Sequence, residues 1–216
     1  FHGEAIERYT EMIRTATERE IDRWPLDRPF ALAPRMQAIT LDVIMSGIFG
    51  VDGQPARRSP EGRLRATIKG LVELSTKPVA QVAELMNVRR EEPVGITRLG
   101  RALMDRRMDA VIATRRGEDL GERHDILSLL LQARDEDGKA LTDAEIGDEL
   151  TTLVLAGHET TANSLAWAWE RLVRTPDAHE RLVAAVRSGE GAEEAIEATI
   201  TETMRSRPVG PIVGRR

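Results

Sequence analysis

Ala156, Gly157, His158, Glu159, Thr160 and Thr161 stand together in a stretch otherwise patterned as one long helix. A carboxylic acid beside a hydroxyl can hold or move a proton. In mid-helix the same pair is costly, because acids and hydroxyls buried without partners lose their hydration. Gly157 adds a cost of about 1 kcal/mol relative to Ala. Unfavourable local choices packed this closely mark a site rather than packing. Gly157 removes a side chain where something flat or bulky could approach. Thr160 lies one turn further on the same face. Its hydroxyl can bond back to an earlier carbonyl and loosen the helix, so a distorted, widened turn is expected near Gly157 to Thr160. Local composition alone also fits a solvated patch over a helix kink.

His158 and Glu159 open an H-E-x-x-H zinc pattern, but the fifth position is Ala162. The second ligand is missing and that reading fails. His2, His124 and His179 have no ligand-like spacing and read as surface or loop histidines. The chain contains no cysteine. That excludes disulfides, zinc–thiolate sites and thiol nucleophiles within it. Further on, Glu202 and Arg205 form an E-x-x-R pair. The spacing recurs at Glu11/Arg14 and Glu20/Arg23, where a surface pair worth about 0.3 kcal/mol is the ordinary meaning. At Glu202 the context differs, because the sequence runs on through Arg207, Pro208, Pro211 and Arg215.

The elements that must position these residues are helical throughout. Ile6, Tyr9, Ile13, Ala16 and Trp24 follow a helix face, and Pro25 and Pro29 end it. From Pro34 to Phe49 apolar residues fall on nearly every side, the mark of a buried helix. Helical spacing returns at Leu64 to Val72, at Val79 to Met86, and from Ile96 to Ile112, with Arg115, Arg116 and Gly117 as a stop. Asp125 caps a short apolar helix through Ala133. Thr142 and Glu145 form a capping box, and no proline follows until Pro176. The helix from about Thr142 to Arg174 is therefore predicted to be the central rod, roughly 45–50 Å long. Two more helices follow, one stopping near Gly189 and one over about Ala192 to Arg207. A single strand is conceivable only in the tail from Val209. The fold class is all-α, with little or no β.

The chain has 216 residues, 41% hydrophobic and 31% charged, which suits one large or two small globular domains. Its formal charge of -5 argues against a nucleic-acid binder that relies on a basic surface. No apolar run is long enough to span a bilayer. The sequence opens on Phe1 without Met and closes on Val213 to Arg216 as a further element begins. It reads as a piece of something longer, a single partial domain over residues 1–216.

A-G-H-E-T-T in a long helix, then E-T-M-R-S-R-P-V-G-P-I-V-G-R-R about forty residues later, resembles a cytochrome P450 of soluble bacterial type. The first motif is similar to that family's oxygen-activation motif, [AG]-G-x-[DE]-T-[TS]. The second is similar to its E-x-x-R helix. The sharp motifs cover Thr142 to Arg216, and the earlier part matches in style alone. The resemblance implies roughly the middle half of a partial P450 fold, without the cysteine loop that ligates haem. It implies that Gly157, with Ala156 beside it, lets the helix pass close over the haem face, with Thr161 also on the cofactor. Glu159 would feed protons from solvent, and Thr160 would hold dioxygen and its water by hydrogen bonds. Arg215 would meet a haem propionate. Thr152 and Leu155 would touch substrate, and Glu202 with Arg205 would lock the haem-proximal core. No protein metal ligand is expected in this chain, because the cysteine is absent.

The implied activity is that of an oxidoreductase, a haem-thiolate monooxygenase. It would hydroxylate a small apolar substrate with O₂ and two electrons from a ferredoxin- or flavodoxin-type redox protein, in the cytoplasm. The other reading is a non-enzymatic, truncated helical binding protein without haem. The isolated chain is expected to be inactive, to fail to retain haem, and to leave Val154, Leu155 and Ile200 open to water.

Overall fold

A computed structural model describes residues 4–88, 90 and 92–210. Among the described residues the elements are α1 (Glu4–Ile21), α2 (Ala33–Phe49), α3 (Pro60–Ser75), α4 (Pro78–Asn87), α5 (Gly95–Arg116), α6 (Ile126–Gln132), α7 (Asp143–Arg174), α8 (Pro176–Ser188) and α9 (Ala192–Ser206). No strand forms among them, and an isolated bridge joins Arg134 to Ala140. The all-α expectation holds. Val209 and Gly210 are not strand, and the rest of the expected tail strand lies outside the described residues.

The chain divides into two compact units. Unit 1 comprises Phe1–Asp22 and Leu41–Ala156; unit 2 comprises Arg23–Thr40 and Gly157–Arg216.

Unit 1 is built on apolar burial. Leu41, Met45 and Phe49 from α2 meet Leu64 and Ile68 from α3, Met108 and Ile112 from α5, Leu127 from α6, and Ile146, Leu150 and Val154 from α7. Val154 is thus fully buried, against the expectation that it would be open to water. Ile146, Leu150 and Val154 recur every four residues, which keeps them on one helix face. A buried polar network crosses this core. Asp125 caps α6 by accepting the Ser128 N–H at 3.0 Å. Arg115 donates to Asp125 at 2.7 Å, to the Ser128 hydroxyl at 2.8 Å and to the Phe49 carbonyl at 2.6 Å. Gly50, at φ +61°, is required here, because a Cβ would stand 2.6 Å from the Asp125 carboxylate.

Unit 2 holds the last part of α7 with α8 and α9, and the segment from Arg23 to Thr40. Pro176 starts α8, and Gly189 ends it in the left-handed conformation. Trp24 and Phe30 stack obliquely, ring centres 5.3 Å apart. The Arg207 guanidinium lies 5.1 Å over the Trp167 ring.

The helix that carries the motif is 32 residues long, about 48 Å. Its capping box is formed as expected. The Glu145 N–H donates to the Thr142 hydroxyl at 3.2 Å, and the Thr142 N–H donates to the Glu145 carboxylate at 2.8 Å. Those bonds, the backbone one first, hold the Glu145 carboxyl below its ordinary pKa.

Candidate functional site

α7 runs as regular α-helix through Gly157 to Thr160, with no widened turn. The expected distortion is absent for a physical reason. Hydroxyls on this helix bond back to carbonyls four residues earlier without opening it: Thr152 donates to Asp148 O at 2.9 Å, and Ser164 donates to Thr160 O at 3.0 Å.

Round the helix the motif residues separate. Ile146, Leu150, Val154, His158 and Ala162 form one buried row at every fourth position. Thr160 follows His158 by two residues, roughly 200° round the helix. Ala156, Thr160 and Thr161 are exposed, and Gly157 and Glu159 are half-buried. The motif therefore offers small side chains and a hydroxyl on one side and buries its imidazole on another. Thr152 is exposed, and Leu155 is 55% exposed, one turn before this surface.

His158 is 3% exposed, and its Nδ1 lies 2.8 Å from the Thr40 hydroxyl on α2, within unit 2. Thr40 Oγ1 also lies 3.3 Å from the Gln37 carbonyl, in donor geometry. Burying an imidazole costs free energy unless its polar atoms are bonded, so the Thr40 contact belongs to what keeps His158 inside. Sequence reasoning weighed His158 as a metal ligand, rejected it, and missed this pair. A signal was present, because His158 continues the apolar row set by Ile146, Leu150 and Val154.

Glu202 and Arg205 form a bidentate pair on α9. Arg205 Nε reaches Glu202 Oε2 at 2.7 Å, and Nη2 reaches Oε1 at 2.6 Å. Both side chains are mostly exposed, at 62% and 71%. Arg215 lies outside the described residues. Among the described residues no group of His, Asp or Glu is arranged to hold a metal ion.

A haem macrocycle fits the geometry of α7 on one side. Ala156 and Gly157 carry nothing beyond Cβ, and the exposed Thr160 hydroxyl stands one turn on. No residue of this chain could supply a thiolate to such a group, because it contains no cysteine.

The chain is similar to known proteins. The sequence profile of the family described as Cytochrome P450 matches residues 1–216. Cytochrome P450 137 of Mycobacterium tuberculosis is 43% identical over 227 residues, covering 99% of this chain and 44% of that protein. Cytochrome P450 138 of Mycobacterium bovis is 37% identical over 217 residues, covering 100% of this chain and 48% of that protein. The chain thus spans about half the length of these relatives. Among solved structures, retinoic acid-bound cyanobacterial CYP120A1 matches with a TM-score of 0.68 at 21% identity, over 95% of this chain and 46% of that one. The crystal structure of the cytochrome P450 CYP102L1 matches with a TM-score of 0.71 at 22% identity, over 98% and 51%. At such identities the structural likeness is one of fold, whereas the profile match extends over the whole sequence: the chain belongs to the cytochrome P450 family.

Proposed function

We propose that the full-length protein is a haem monooxygenase. It hydroxylates an apolar small molecule with O₂ and two electrons from a ferredoxin- or flavodoxin-type protein, in the cytoplasm. Residues 1–216 form one partial domain of it. The observation that carries this reading is the division of α7 into a buried His158 row and a surface of exposed Ala156 and Thr160 with half-buried Gly157.

Each residue then has a task that its position permits. Ala156 and Gly157 admit a planar group against the helix, and Thr161 borders it. Arg215, outside the described residues, is given a propionate by resemblance alone. The bound haem supplies the oxidising chemistry. Glu159, half-buried beside the open surface, takes a proton from solvent and passes it on as a general acid. Thr160 holds a proton at Oγ1 and directs it toward that surface. Leu155 gives substrate an apolar contact, with Thr152 beside it. The Glu202–Arg205 pair on α9 would be structural and lock the haem-proximal core.

In the full-length protein, Thr160→Ala is expected to leave substrate binding intact and divert reducing equivalents to peroxide. Glu159→Gln is expected to slow turnover. Product and peroxide are counted per electron pair consumed. Wild-type rate and coupling in both variants would remove the assigned roles. A colourless full-length product would favour a helical binding protein instead. The 216-residue chain alone, given haemin and reduced under CO, is expected to lack both activity and the red-shifted thiolate band.

A further inference from the structure

Unit 1 contains a cleft that the chemistry of α7 does not use. It encloses about 400 Å³ and is lined by Arg57, Arg63, Gly70, Leu71, Leu103 and Arg107, among others. Small-molecule sites commonly occupy about 300–1,000 Å³. Three arginines line the cleft. Elsewhere in unit 1, Arg65 has Asp42, Arg101 has Asp105, Arg115 has Asp125 and Arg116 has Asp143. Among the described residues, no carboxylate lies within ion-pair distance of Arg57, Arg63 or Arg107. Arg63 spends one N–H on the Arg58 carbonyl, at 2.7 Å. Arg107 Nε is buried with no hydrogen-bond partner. A chain of net charge -5 thus gathers three unpaired guanidiniums round one hollow. The unmet N–H costs free energy, and an anion relieves it.

The surroundings are fixed. The Gly62 N–H donates to the capping Ser59 hydroxyl at 3.0 Å, and the Ser59 N–H donates to Ala56 O at 2.9 Å. A Cβ on Gly62 would fall 2.0 Å from that same carbonyl. The loop bearing Arg57 is therefore pressed onto the first turn of α3, beside Arg63. The cleft also has an apolar part. Leu103 is 41% exposed and Leu71 stands with it. Gly70, inside α3, has no atom within 4 Å of where its Cβ would be.

We propose that this cleft binds an apolar carboxylic acid. The guanidinium forks take the carboxylate, bidentate where two N–H groups face it, and Leu71 and Leu103 take the hydrocarbon. The proposal is independent of the haem reading.

The test is equilibrium dialysis of the full-length protein with decanoate, decanol and inorganic phosphate as probes, with the haem absorption recorded alongside. Decanoate is expected to saturate a site that the Arg63→Gln/Arg107→Gln variant weakens at least about tenfold, the effect of losing hydrogen bonds to a charged group. The haem absorption response should not change between the two proteins. Gly70→Leu is expected to abolish the same site by filling it, with every arginine kept. That variant has room for its Cβ and a better helix former, so it folds. Equal decanoate affinity in wild type and both variants would overturn the proposal. So would decanol binding as tightly as decanoate, or phosphate displacing decanoate at equal concentration.

Discussion

The two units solve the problem of burial differently. In unit 1 the buried apolar side chains form one continuous cluster, with Phe49, Met45 and Leu150 sealed inside it. In unit 2, α8 buries no residue, and α9 buries only Thr203. Unit 2 buries fewer apolar side chains, Met36, Ile39, Ala162 and Leu172 among them, and adds directional contacts: the Thr40–His158 contact, the Trp24–Phe30 pair and Arg207 over Trp167. Apolar burial is non-directional and scales with area, whereas hydrogen bonds and ring contacts specify orientation. The turn that begins at Gly157 belongs to unit 2, where such directional contacts stand beside the smaller apolar burial. A proton-handling surface needs its groups fixed in angle more than it needs surplus stability.

The comparison is most easily broken in unit 1. Arg115→Ala leaves the buried Asp125 carboxylate without its guanidinium, and such a loss costs about 3–5 kcal/mol. Leu150→Ala opens a cavity in the apolar cluster for about 2–5 kcal/mol. Urea unfolding of the full-length protein measures both. Losses under about 1 kcal/mol would mean that unit 1 does not depend on its interior in the way described.

Unit 2 should respond to a different kind of change. His158→Leu and Thr40→Val each remove one partner of a buried contact, at about 1–3 kcal/mol. The double variant should cost less than the sum, because the second change no longer strands a polar group. Strict additivity would show that the 2.8 Å contact carries no coupling. Ile200→Ala, on the exposed side of α9, should stay within about 0.5 kcal/mol. A larger cost would show that α9 has an apolar cover that the described residues do not provide.

Local signals were legible in the sequence. Thr142 with Glu145, Asp125 before an apolar run and Pro176 each did what its chemistry predicts. These devices act across three or four residues, so their partners lie in the same short stretch. The missed features act over long separations. Thr40 and His158 are 118 residues apart, and Arg115 reaches a carbonyl 66 residues away. No period or cap encodes such meetings, because they depend on which helices pack. Val154 shows a third case. Its row with Ile146 and Leu150 was readable, but the expectation for it was drawn from what the chain lacked rather than from that row.

The smallest effect lies in a contrast between two ion pairs. Arg115–Asp125 in unit 1 has side chains 4% and 5% exposed, and Glu202–Arg205 in unit 2 is mostly in water. Hydrogen bonds from Arg205 come first, and its charge adds to them, in holding the Glu202 carboxyl below its ordinary pKa. Glu202 raises Arg205 in return. A depressed carboxyl contributes stability that is fully present above the unfolded-state pKa and is lost as pH falls through the lower folded value. The pair therefore weakens only on the acid side of the ordinary glutamate range. In water it is screened, so the contribution is slight. An NMR titration of the Glu202 carboxyl measures it directly. In Arg205→Gln the midpoint should rise toward the ordinary value, and about 1 M salt should move the wild-type midpoint part of the way. An unmoved midpoint in the variant would show that Arg205 does not hold this carboxylate in solution, and would leave α9 without the one directional pair assigned to its surface.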